Sequence, residues 1–118
     1  MLNYAQVAHK IPLYHRDIRW DNIVRKIEDK SKWFLIDWEY AATPPTFAQL
    51  SFMKETHSPD IFHDGHGPEV DIWAIGHLIQ TSTATKFLGG MWVLGERICK
   101  ESHELTAQEV LVLLASCR

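Results

Sequence analysis

The stretch from Glu69 to Thr81 limits the possible folds more than any other part of the chain. Val70, Ile72, Trp73, Ala74, Ile75, Leu78 and Ile79 would fall on nearly every side of a helix over this span. A helix that is apolar all round has to be covered by its neighbours, so the remaining residues must supply elements that wrap it. The 118 residues are 46% hydrophobic and 23% charged, enough apolar material for one core in one domain, residues 1–118. A net charge of −3 offers no basis for binding nucleic acid or an anionic membrane. No segment approaches membrane-spanning length, and no charged start followed by an apolar run reads as a leader. Cys99 and Cys117 are well separated and lack metal-site spacing, which predicts a reduced intracellular setting, cytoplasmic or nuclear.

The candidate partners of that helix follow from local pattern. Leu2 to His9 carries an imperfect helical spacing that stops before Pro12. Ile23 to Ile27 and Trp33 to Ile36 are β-branched or aromatic runs on either side of the charged Glu28–Lys32, a hairpin signature. Tyr40 to His57, with Pro44, Pro45 and no sustained period, reads as loop. Thr83 to Gly90 is turn-rich, and Met91 to Lys100 predicts a short helix. Thr106 and Glu109 have the spacing of a capping box, with Leu105 placed to staple onto Val110, so a last helix is expected over Val110 to Ala115. The expected class is mainly α with a short β-hairpin.

The chemistry concentrates in Tyr14–Asn22 and in Asp37 at the end of the second hairpin run. Asp17 and Asn22 share one loop, and Asp37 arrives from a separate strand. A sparse set of carboxylates and an amide suits Mg²⁺, which keeps several waters and takes few protein ligands. Read on its own, an Asp and an Asn five positions apart equally form a turn that bonds its own backbone. The run His57, Asp60, His63, Asp64 and His66 offers zinc-type ligands, yet its spacing matches no compact zinc pattern and it is not read as a metal site.

His15-Arg16-Asp17-Ile18-Arg19-Trp20-Asp21-Asn22 resembles the catalytic loop of eukaryotic-type protein kinases, and Asp37-Trp38-Glu39 falls where those enzymes carry D-F-G. Ser58-Pro59-Asp60 is similar to their A-P-E, and Asp71-Ile72-Trp73-Ala74-Ile75-Gly76 to the D-x-W-x-x-G that opens a large buried helix. The resemblance implies a kinase-like C-terminal lobe without its N-terminal lobe, with a catalytic loop at 15–22, a metal motif at 37–39, an activation segment at 37–60 and a buried helix at 69–81. It has the diction of divergent, expanded fungal kinase families. Its implied activity is transfer of the ATP γ-phosphate to a protein hydroxyl. Asp17 would orient the substrate proton, Arg19 would steady the transferred phosphate, and Asn22 and Asp37 would hold Mg²⁺ against ATP. Arg16 would receive a phosphate on the activation segment, Asp71 would bond the backbone of the catalytic loop, and His15 would be a packing residue.

Departures from the family's pattern shape the expectation. The Gly-rich loop and the strand lysine that hold the nucleotide are absent from the sequence, so a partner or another segment would have to supply the upper lobe. Glu39 stands where the family carries a glycine, which limits backbone freedom at that point. Glu104 stands where an arginine would pair with the acid of A-P-E, so Asp60 loses that partner or finds another base. The alternatives to an active lobe are an inactive pseudokinase serving as an interaction module and a truncated product.

Overall fold

The computed structural model describes residues 11–82 and 89–116. The helical pattern at 2–9 and most of the 83–90 connection lie outside the described residues. Within them the order is a 3-10 turn Trp20–Asn22, strands β1 (Ile23–Arg25) and β2 (Trp33–Leu35), a second 3-10 turn Pro59–Phe62, and helices α1 (Glu69–Thr81), α2 (Gly89–Lys100) and α3 (Ala107–Ala115). The mainly helical class with one hairpin is what the pattern predicts; a relationship to a kinase lobe is not shown.

The hairpin forms where β-branched and aromatic residues flank the charged turn. β1 and β2 pair antiparallel, with Ile23 opposite Leu35, Val24 opposite Phe34 and Arg25 opposite Trp33. The Arg25 guanidinium lies 4.5 Å from the centre of the Trp33 ring, a cation–π contact that helps hold the register. One further main-chain bond matters for the site: the Ile36 N–H donates to the Asn22 carbonyl (2.8 Å), so Asp37 leaves the hairpin beside the 15–22 loop.

α1 is covered as its sequence demands. Val70, Ile72, Ala74 and Gly76 are buried, and the intervening residues to Gln80 are half-buried. The core gathers Ile72 with Leu94 and Ile98 of α2 and Val110 of α3, lined further by Ile75, Ile79, Met91, Leu105, Leu113 and Leu114. α2 can come this close because glycines face each other at the crossing. A Cβ on Gly76 would lie 2.7 Å from the Gly95 carbonyl oxygen and 2.9 Å from the Cys99 nitrogen. The two backbones are therefore in contact, and side chains around them interlock.

α3 begins at the expected box. Thr106 Oγ1 accepts from the Glu109 N–H (3.1 Å), and Glu109 Oε1 accepts from the Thr106 N–H (3.2 Å). Two N–H groups that the first turn leaves without helical partners are thereby satisfied. Val110 belongs to the core cluster, and Leu105 packs against that cluster. The helix starts three positions before Val110, at the residue after the cap.

Candidate functional site

Asp71 organises the loop that carries Asp17. Its Oδ2 accepts from the His15 N–H (2.8 Å) and its Oδ1 from the Arg16 N–H (2.9 Å), tying α1 to a segment 55 and 56 positions earlier. Burial pushes the Asp71 carboxyl above its ordinary range, and these two N–H groups and the nearby Arg16 charge pull it back. The loop turns sharply here, since Arg16 has φ 71°, a left-handed conformation that a long side chain adopts rarely. Such a backbone persists only where its surroundings hold it.

His15 and Arg16 are spent on that support. The Asp17 N–H donates to His15 Nδ1 (3.1 Å), which leaves the proton on Nε2 to be donated to the Ile36 carbonyl (3.0 Å). Both ring nitrogens are thus used within the loop and hairpin, and the ring meets Trp38 edge-on at 4.6 Å. The Arg16 guanidinium donates to the carbonyls of Tyr40 (2.6 Å) and Phe47 (3.1 Å) and approaches His66 Nε2 (3.3 Å). Its Nε and Nη1 thus bind the 40–47 segment directly through main-chain carbonyls.

Asp17 is 3% exposed and surrounded by donors. His57 Nε2 lies 2.7 Å from Oδ1, and Asn22 Nδ2 donates to Oδ2 (3.1 Å) and to the Asp17 carbonyl (2.8 Å). Arg19 Nε lies 3.3 Å from Oδ1 but is not aligned for a hydrogen bond, and this buried nitrogen has no hydrogen-bond partner. On the far side of the His57 ring, Nδ1 is 2.9 Å from the Thr56 hydroxyl. Carboxylate, imidazole and hydroxyl form a continuous series along which a proton can be passed or held. The ring is fixed by stacking on Phe52 (4.0 Å between centroids), which in turn meets Tyr40 edge-on at 4.7 Å.

These groups line an open pocket of about 300 Å³ bounded by Asp17, Arg19, Tyr40, Ser51, Phe52, Met53, Thr56 and His57. Asp17, Arg19 and Asn22 are brought together as the sequence suggests. Asp37 stands apart from that hydrogen-bonded group: it is exposed, its Oδ1 receives a long contact from the Glu39 N–H (3.4 Å), and its own φ is 59°. The left-handed residue of this turn is therefore Asp37, which tolerates it better than most side chains, and Glu39 is spared that conformation.

His57 is the residue that sequence reasoning missed. It appears there as one member of a histidine- and aspartate-rich run, but the fold disperses that run. Asp64 accepts from the Ala48 N–H (2.7 Å), His66 joins Arg16, and Asp60 pairs with His103 at 2.5 Å.

Fold and site together define a mainly helical unit with a hairpin and a buried carboxylate–imidazole pair opening on a pocket of mixed polar and apolar lining. A curated relative similar to the chain is Crinkler effector protein 8 of Phytophthora infestans, 41% identical over 86 residues. The match covers 70% of this chain and 14% of that protein, so the chain spans only a small part of the relative's length. No protein-family model and no solved structure matches. The expectation of a eukaryotic-type kinase is corrected by these findings: the relative is named as an effector and not as a kinase, and no kinase family model fits. Phosphotransferase activity, and the ATP binding and transferase chemistry attached to it, lose their support. The physical reason is that the motifs are short and specify loop geometry, while the oxygens of Asp17 are engaged by this chain's own His57 and Asn22.

Proposed function

We propose that this chain is a segment of an effector-type protein and that its working part is the pocket around Asp17, where the Asp17–His57 pair handles a proton of a small polar ligand. The observation that carries this reading is a carboxylate almost wholly out of water, facing an imidazole at 2.7 Å on the floor of an open pocket. Burying a charge there is costly unless it is compensated, and the helical core gains nothing from it. Buried titratable pairs in clefts are characteristic of working sites. Asp17 would hold the His57 ring, and His57 with Thr56 would face the ligand.

Asn22 and Asp37 form the neighbouring seat for Mg²⁺ in this reading. The donor chemistry fits, since the amide nitrogen of Asn22 is turned to Asp17, and the Asp37 carboxylate is open to solvent one residue after the Ile36 N–H bonds the Asn22 carbonyl. The expected protein partner is supported by the exposed aromatic side chains Trp33 and Phe34 of β2 and Trp38 just beyond it.

The experiment is paramagnetic broadening of amide resonances by Mn²⁺ in place of Mg²⁺. Broadening centred on Asn22 and Asp37, removed by Asp37→Asn, supports the seat; broadening unaffected by that change overturns it. For the pair, His57→Gln should displace the Asp17 and Asn22 resonances at fixed pH while the fold is kept. Unaltered resonances would show that His57 is not coupled to Asp17.

A further inference from the structure

We propose that Asp60, Glu69 and His103 form a binding site for a borderline divalent transition ion of the Zn²⁺ type, separate from the pocket around Asp17. The three residues come from different elements: Asp60 from the Pro59–Phe62 turn, Glu69 from the first turn of α1, and His103 from the connection between α2 and α3. One ligand atom of each lies within 4.8 Å of the others. Zn²⁺ binds histidine nitrogen and carboxylate oxygen at about 2.0–2.2 Å, which sets ligand atoms roughly 3.4 Å apart around a tetrahedral ion. The site needs only small rotations to reach that spacing, which lies between the 2.5 Å approach of Asp60 and His103 and the 4.8 Å within which all three ligand atoms fall.

The chemistry of the set separates it from a plain ion pair. His103 and Asp60 could pair without help, but Glu69 brings a second carboxylate to the same point, and two carboxylates this close repel unless a cation lies between them. An imidazole with two carboxylates suits Zn²⁺ and its neighbours better than Mg²⁺ or Ca²⁺, which prefer oxygen alone.

The surroundings also hold the ligands in place. The Gly67 N–H donates to Glu69 Oε1 (2.8 Å), and a Cβ on Gly67 would lie 3.0 Å from Glu69 Oε2, so the glycine leaves the room that the carboxylate occupies. The Asp60 N–H is held by Ser58 Oγ (3.2 Å). Backbone support of this kind orients metal ligands in established sites. With the His103 side chain 65% exposed and that of Asp60 31% exposed, an ion can enter and keep water in its remaining positions. Bound there, it would clip the loop region to both ends of the helical core.

The test uses the intact chain and Zn²⁺ alone, followed by calorimetric titration and by the melting temperature, with Co²⁺ as a spectroscopic substitute. Saturable binding with one ion per chain, a rise in melting temperature and Co²⁺ ligand-field absorption are expected. His103→Ala and Glu69→Gln should each weaken binding by roughly tenfold or more, no less than loss of a supporting contact does in known sites. Both side chains lie at the surface or near it, and circular dichroism of the unliganded variants checks the fold. Glu96→Gln, which removes an exposed carboxylate paired with Lys100 on α2, should leave Zn²⁺ binding unchanged, which separates this site from general surface charge. Absence of saturable binding, or binding that survives both His103→Ala and Glu69→Gln, overturns the proposal.

Discussion

Residues 11–67 and the helical residues 69–82 and 89–116 are filled by different materials. In the helical part the buried side chains are mainly Val70, Ile72, Ala74, Leu94, Ile98 and Val110, with Ser102 the polar exception. In the loop and hairpin part they are His15, Arg16, Asp17, Asn22, Thr46, His57, Ser58 and His66, with Tyr14 and Ile61 as the apolar members. The helical part is held by non-directional burial, which tolerates exchange of similar shapes. The other part is held by directional bonds, each of which leaves a desolvated group behind when its partner is removed. A small chain can thus keep a rigid polar site by resting a hydrogen-bonded network on an apolar core.

Asp71 joins the two parts, and its removal is the strongest way to break the comparison. Asp71→Ala leaves the His15 and Arg16 N–H groups without acceptors, at a cost of about 4 kcal/mol. Hydrogen exchange should then quicken across residues 14–22 while α1 and α2 stay protected. Equal loosening in both parts would show that they are not distinct.

Gly76→Ala attacks the helical part alone. The added Cβ meets backbone atoms of α2 that cannot move aside, so a loss of about 3 kcal/mol is expected in denaturant unfolding. The environment of Asp17 should survive until the whole chain unfolds.

A smaller change sharpens the contrast at the far end of the core. Thr106→Ala removes the cap of α3 and should cost about 1 kcal/mol, seen as earlier fraying of Ala107–Val110 in amide exchange. No effect is expected at His57.

The smallest effect is a pH dependence. Burial, and secondarily the charge of His57, hold the His77 imidazole below its ordinary value of 6.5. The folded chain therefore resists a proton that the unfolded chain accepts, and stability falls as pH drops from about 6.5 towards the folded value, levelling below it. His77→Gln should flatten that part of the stability–pH curve relative to the parent, and an unchanged slope would assign it to other groups.

Much of the fold was legible in local pattern, and little of the site was. The all-round apolar run from Val70 to Ile79, the β-branched pair of runs around Glu28–Lys32, and the Thr106–Glu109 box each depend on neighbours a few positions away. Their physics is contained in helical and strand periods. Asp17 and Asn22 were also legible as a pair, because they share one loop. The catalytic vocabulary read into that loop was not sound, since the same few letters serve a turn, a cap or a site.

The amino-acid order alone determined which segments coil, which extend and where the last helix begins, because those choices are made within a turn or two of backbone. Only the path of the chain through space decided that His57 meets Asp17 across 40 positions, that Arg16 binds carbonyls, and that Asp60, Glu69 and His103 converge. Such pairings carry no periodic mark. They exist because packing α1 against α2 fixes where every loop must pass, and a buried polar group then takes the partner that passes nearest.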